Sequence, residues 1–149
     1  MNRELPDQPY CSHPPHCTLI YTEVKDELNA QSLISDALIN VKGFSIESDG
    51  PQVFWDDVAT GGGHSICWKI LPNKELHELQ LFVAEALRPV LSRFDMPKYL
   101  NEKPELISSF ERYRFPFVGS HWIPHMSIAS LKTQRDHTLI QKFSNEPGT

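Results

Sequence analysis

Two short segments of the chain share one order of chemical types. "PPHCTLIY" runs from Pro14 to Tyr21 and "IPHMSIAS" from Ile123 to Ser130. Each reads as a proline, a histidine, any residue, a small hydroxyl residue and then apolar residues. On a strand, side chains two positions apart share a face, so His16 projects with Thr18, and His125 with Ser127. If two such strands lie side by side, or face each other across a cleft, two imidazoles and two hydroxyls converge on a volume the size of a phosphate group. Histidine titrates near neutrality, so one ring of a pair can be neutral while the other is protonated, supplying a general base and a general acid together. The hydroxyls of Thr18 and Ser127 can donate to non-bridging phosphate oxygens without adding charge. This kit suits cleavage of a phosphodiester, with one histidine activating water and the other protonating the departing sugar oxygen, and it calls for no metal and no cofactor. Pro15 and Pro124 stiffen the approach to each strand.

A bare H-x-[ST] match arises by chance about once in a chain of this composition, so context has to discriminate. Both matches follow proline and precede strand-type apolar residues, and the other five of the seven histidines lack the pattern. The plain alternative is a pair of strand histidines satisfied by neighbouring backbone groups. His121 and His125 have the i, i+4 spacing of a helical zinc pair, but Pro124 between them argues for loop and strand. His13 and His16 flank two prolines and lack nearby cysteine or carboxylate ligands. His64 and His77 read as surface or turn residues. The glycines at 61–63 lack the lysine and the strand-to-helix context of a phosphate loop and read as a hairpin turn. Tyr21, Phe117 and Trp122 lie close to the motifs and could stack on a nucleobase, the alternative being packing at strand ends. Arg112 and Arg114 read as solvated charges, with a phosphate contact as the alternative.

Elements that could position the motifs follow from periodicity. "HCTLIY" is β-branched and aromatic enough for a first strand. Apolar residues at near-helical intervals predict a helix from Val24 to Val41, with Gly43 as its stop. "GFSIESDG" and "PQVFWDDV" alternate around Asp49-Gly50-Pro51, which predicts a hairpin; "GGGHSICWKIL" adds a third strand to an antiparallel meander. The segment from Asn73 puts Leu76, Leu79, Phe82, Val83, Ala86, Leu87 and Val90 on one helical face, with Asn73 as the cap and Pro89 as the end or bend. A short helix is expected from Glu105 to Tyr113, a strand at "HMSIASL", and a last helix from Gln134 to Phe143. Helices mixed with largely antiparallel strands make an α+β domain.

The length of 149 residues fits one domain, with residues 1–13 as a proline-rich extended leader,. A hydrophobic content of 40% with 22% charged residues is globular, and the formal net charge of -5 disfavours a DNA duplex or other long polyphosphate backbone as the main partner,. A small nucleotide or an RNA terminus can still be held by a few local donors. No apolar run reaches the roughly 18 to 20 residues of a membrane span, and the N-terminus lacks the apolar stretch of a signal peptide, so a cytoplasmic protein without a membrane partner is expected. Three cysteines without C-x-x-C spacing argue against a disulfide framework; Cys17 and Cys67 read as small buried hydrophobes,. Nothing in the chain specifies an oligomer, and a monomer is the expectation.

At "HCTL" and "HMSI" the sequence resembles the two-histidine (2H) phosphoesterase superfamily, and within it the bacterial RNA 2',3'-cyclic phosphodiesterase or 2'-5' RNA ligase-like branch. The likeness extends through "GGGHSICWKI", the "LHELQ" helix and "RYRFPFVGSHWIPHMSIAS", covering most of residues 14 to 131. It implies a bilobal fold of antiparallel sheets flanked by helices, a cleft between the lobes holding both motifs, and metal-independent hydrolysis of a cyclic or 2'-5' phosphodiester. By motif position, His16 and His125 would be the acid and base pair and Thr18 and Ser127 the phosphate ligands. Within the enzyme class the alternative is a hydrolase of cyclic nucleotide signals or 2'-5' oligonucleotides, and a non-catalytic nucleotide- or RNA-binding domain of the same fold is the contrasting reading. Family members usually carry a strand before the first motif and further strands after the second, which leaves this chain as either a compact or a shortened version; shortening would expose a sheet edge.

Overall fold

The computed structural model describes residues 14–147, so the leader expected over residues 1–13 lies outside the described part. Among the described residues, three antiparallel strands and four helices meet the α+β expectation. The chain divides into two compact units: one holds the residues up to Thr18, Ile46–Pro72 and those from Pro124 onward, the other Leu19–Ser45 and Asn73–Ile123. Among the described residues no helix is long and apolar enough to cross a membrane.

The first unit is built on strands β1 (Ser48–Asp57), β2 (Gly63–Ile70) and β3 (His125–Leu131), ordered β1-β2-β3. A 3-10 turn, Val58–Thr60, and the left-handed Gly61 and Gly62 (φ 71° and 87°) join β1 to β2, so the glycine run makes the expected turn,. Helix α4 (Thr138–Ser144) covers one face of the sheet, where its Leu139, Ile140 and Phe143 pack with Ile66, Ala129 and Leu131, and Trp68 meets Phe143 edge-on at 5.6 Å. Each fully buried aliphatic side chain of this kind contributes about 1.5–3 kcal/mol. Cys67 and Lys69 of β2 look the other way by alternation, and the register shift opposite Ile66 and Cys67 interrupts the alternation on β3, so that His125 and Ser127, paired with Lys69 and Cys67, join that face although Ala129 and Leu131 lie against α4,.

The hairpin expected at Asp49-Gly50-Pro51 does not form; β1 runs straight through it. Gly50, at φ 97°, instead serves a register shift between Ser48 and Gly50, a bulge rather than a reversal,. Pro51 falls on an edge strand, the place in a sheet where proline is accommodated because one side of the strand has no neighbour to bond,. The strand expected at "HCTLIY" is likewise reduced to an isolated bridge at His16. Beyond Thr18 the chain passes into the second unit, where the Leu19 carbonyl accepts a hydrogen bond from the Gln80 amide instead of a strand neighbour.

In that second unit, α1 (Glu27–Leu38) starts later than the periodicity predicts because Asp26 caps it, Oδ1 accepting from Asn29 N–H at 3.1 Å, while Val24 forms a bridge with Leu91. Helix α2 (Lys74–Leu87) begins at its expected cap, Asn73 Oδ1 accepting from Leu76 N–H at 2.8 Å, and gives way at Pro89 to a 3-10 turn over Arg88–Val90. Ala30, Val83, Leu87, Val90 and Leu91 form the core between α1 and α2. Helix α3 (Ile107–Tyr113) follows a 3-10 turn at Pro104–Leu106, close to the expected span.

The buried face of α2 is not the fully apolar one expected. Phe82 is 52% exposed, whereas Gln80 is completely buried. Gln80 Nε2 donates to the carbonyls of Leu19 (3.1 Å) and Phe117 (3.0 Å), and its Oε1 accepts from Gly119 N–H (3.1 Å), so one amide joins three loop positions to the helix. Nearby, Glu85 accepts hydrogen bonds from the Tyr113 hydroxyl (2.6 Å), Arg112 (2.8 and 3.0 Å) and Arg88 (2.9 Å). These donors, Tyr113 first and Arg112 next, hold its carboxyl down at about 2,.

Two outcomes follow from these groups. Gln80→Leu should lower the unfolding free energy by about 3 kcal/mol, since two carbonyls and one N–H lose their partner at once; an unchanged urea midpoint would refute the role given to this amide. Glu85 is depressed from an ordinary 4.5. Its stabilisation is therefore complete above that value and disappears as pH falls towards about 2,. In thermal melts stepped through that interval, Glu85→Gln should lose less stability with acid than the wild type, and parallel profiles would count against it.

Candidate active site

His16 and Ser127 form an antiparallel bridge in which each backbone bonds the other: His16 N–H donates to Ser127 O (3.3 Å) and Ser127 N–H to His16 O (2.8 Å). Residues directly opposite each other in such a pair point to the same face. His125 lies two residues before Ser127 on β3 and shares that face as well,. The bridge thus brings the first residue of one motif against the hydroxyl residue of the other, on the sheet face that α4 leaves uncovered. Thr18 lies two residues past His16, half-buried and outside any assigned strand.

The local sequence explains why His16 is held so firmly. Its Nδ1 lies 2.9 Å from the carbonyl oxygen of Pro14. A carbonyl can only accept, so Nδ1 carries the hydrogen at this contact, and Nε2 is the unprotonated nitrogen of the neutral ring. Cys17, half-buried beside it, has its thiol pushed up by burial, opposed by the backbone N–H of His125. That contact is a second tie between the His16 segment and the start of β3.

His125 is oriented by Phe54 of β1, whose ring meets the imidazole edge-on at 4.8 Å,. Cys67, opposite Ser127 in the register and only 1% exposed, lies on the strand between β1 and β3. Its thiol donates to Gln52 O at 3.4 Å and is pushed up to about 12, by burial first and by the charge of Asp57 second, so it is inert as a nucleophile,. Gln52 pairs with Cys67 and belongs to the same face; its side-chain Oε1 is buried without a hydrogen-bond partner. Phe54 and Gln52 were not legible as site residues, and the only signal pointing to them is their alternation on β1.

The remaining candidates sort by unit. Tyr21, Phe117 and Trp122 belong to the second unit. There Tyr21 is 80% exposed, Phe117 stacks edge-on with Phe115 at 5.7 Å, and Trp122 is buried against His77 at 5.3 Å. His121 ends a 3-10 turn rather than a helical ligand pair, and no group of three metal-ligating side chains occurs among the described residues. His13 lies outside the described residues. His64, expected at the surface, is buried: it follows Ile66 in the alternation, pairs with Leu131 and accepts from Asp56 N–H through Nδ1 at 3.2 Å. Arg112, expected to be solvated, is bound to Glu85.

A protein-family model described as the 2'-5' RNA ligase superfamily matches residues 2–149. The chain belongs to that superfamily. This is the 2H phosphoesterase superfamily, so the family is the one the two motifs resemble, and its members act on phosphodiester bonds. No curated protein and no solved structure is significantly similar to the chain.

The His16 contact yields a direct check. In long-range 1H–15N spectra of the neutral ring, the His16 proton should reside on Nδ1; a ring protonated at Nε2 instead would show that the Pro14 carbonyl does not set the tautomer.

Proposed function

We propose that this member of the 2H phosphoesterase superfamily is a metal-independent phosphodiesterase that hydrolyses a cyclic phosphodiester, either a 2',3'-cyclic nucleotide or the cyclic end of an RNA. The observation that carries the reading is the reciprocal bridge between His16 and Ser127, which sets parts of both motifs on one sheet face. His16 and His125 act as the acid and base pair. One imidazole removes a proton from water as the water oxygen bonds to phosphorus; the other gives its proton to the ribose oxygen as the P–O bond to it breaks, leaving a phosphomonoester and a free hydroxyl. In His16 the exchanging atom is Nε2, because Nδ1 is committed to Pro14 O.

Ser127 and Thr18 donate to the non-bridging oxygens, where charge builds up in the transition state and a hydrogen bond strengthens most. Phe54 keeps the His125 ring from rotating away from the phosphate.

Activity on 2',3'-cyclic nucleotides should persist in excess EDTA and fall by at least about a hundredfold in both His16→Ala and His125→Ala, the scale of a lost general acid or base. Thr18→Ala and Ser127→Ala should lose less, about tenfold each. A folded wild type that binds these nucleotides without turning them over would sink the hydrolase reading and favour a binding domain.

A further inference from the structure

The second unit contains a cavity of about 500 Å³ that shares no residue with the histidine motifs. Although the chain carries a net charge of -5, five of its 14 lysines and arginines line this one hollow: Lys25, Arg88, Arg93, Arg112 and Arg114. The opposing carboxylates are Glu85 and Glu111. Glu85 is already matched by Arg88, Arg112 and the Tyr113 hydroxyl, an arrangement that fixes two guanidinium groups at the wall. Lys25, Arg93 and Arg114 make no ion pair among the described residues, and Lys25 and Arg93 are exposed.

Arg114 adds an independent sign. It closes α3 in the left-handed region at φ 55°, a conformation that glycine or asparagine adopts without strain,. A long cation occupies a position whose backbone favours glycine, and strain of this kind gathers where a side chain is needed for binding. No aromatic residue lines the cavity, so it offers no platform for a base,. Its size suits a small ligand or a short stretch of a chain. Planar guanidinium groups bind phosphate oxygens in pairs, and several cations around one hollow match several adjacent negative charges.

We propose that this cavity binds consecutive phosphate groups, from an inorganic or nucleoside polyphosphate or from the backbone of an oligonucleotide strand. Glu85 is its positioning residue, holding Arg88 and Arg112 against the cavity, while Lys25, Arg93 and Arg114 supply the unmatched charge.

The test is calorimetric titration of the full chain with sodium tripolyphosphate and, separately, with a short oligothymidylate, which lacks the 2'-hydroxyl. The wild type should bind at least one probe, more weakly as salt rises. Arg93→Ala/Arg114→Gly should bind it at least about tenfold more weakly, the loss expected for removed charge-assisted hydrogen bonds. His16→Ala/His125→Ala should bind as the wild type does, which keeps this result separate from the fate of the phosphodiesterase reading. Binding of tripolyphosphate alone identifies a small polyphosphate, and binding of both probes identifies phosphates in a strand. Arg114→Gly relieves the left-handed strain, so the melting temperature of the double variant should not fall. No binding of either probe at millimolar concentration, or equal binding by the arginine variant, would overturn the proposal.

Discussion

The candidate site depends on one reciprocal pair of backbone hydrogen bonds. His16 and Ser127 each donate to the other, and that exchange decides which way His16 points. A shift of one residue in this pairing would turn His16 to the opposite face, because the side-chain period of an extended segment is two. Several contacts resist the shift. Pro14 O takes the Nδ1 hydrogen, Cys17 packs against the His125 backbone, and the chain leaves for the second unit immediately after Thr18. A single bridge would be a weak tie by itself, worth about 1 kcal/mol per bond. Combined with the ring contact, it fixes both position and rotation of the imidazole.

The sheet beneath the site has two chemically different faces, and their separation is what makes the histidine face available. The α4 side is filled by Ile66, Leu131, Ile140 and Phe143, all nearly inaccessible. Packing on that side leaves the opposite one to carry polar groups without a core to disrupt. Even there the two rings and Cys67 leave little water next to the strand, since Cys67 is 1% exposed and the Gln52 Oε1 is buried with no partner. An unpaired acceptor in such a place costs about 1–3 kcal/mol, a cost that a ligand donor would remove.

Which features could be read from the sequence depends on how locally they are determined. The cap at Asn73, the break at Pro89 and β3 at "HMSIASL" are set by residue types within a few positions, and each lies where its chemistry predicts. The failures come from partners distant in sequence. Asp49-Gly50-Pro51 has the residues of a turn, and only the presence of β2 alongside makes the same glycine a bulge within a continuous strand. "HCTLIY" has strand propensity, but Leu19 and Ile20 are drawn into packing around α1 and α2, which leaves one bridging residue. Gln80 falls on the helical stripe of Leu76, Val83 and Leu87, and what makes a polar side chain fit there is three backbone groups from positions distant in sequence. The opposition of Phe54 to His125 depends on sheet register across β2 and has no local signature.

Charge follows the same rule of local determination. A net of -5 is an average over the whole chain, and as an average it disfavours wrapping a long duplex,. A bound phosphate samples only its surroundings, because at physiological ionic strength a charge is screened beyond about 8 Å. Within that radius the histidine face offers a hydroxyl, imidazoles and one ammonium, Lys69, already matched by Asp49 at 2.8 Å, whereas the cavity beside α3 offers guanidinium groups gathered around one matched carboxylate. Uncharged donors suit a phosphate whose charge changes during a reaction, since a fixed cation would also stabilise the ground state and gain little rate. Fixed cations suit a phosphate that is only held. The two kinds of lining therefore correspond to two different demands on the same chemical group.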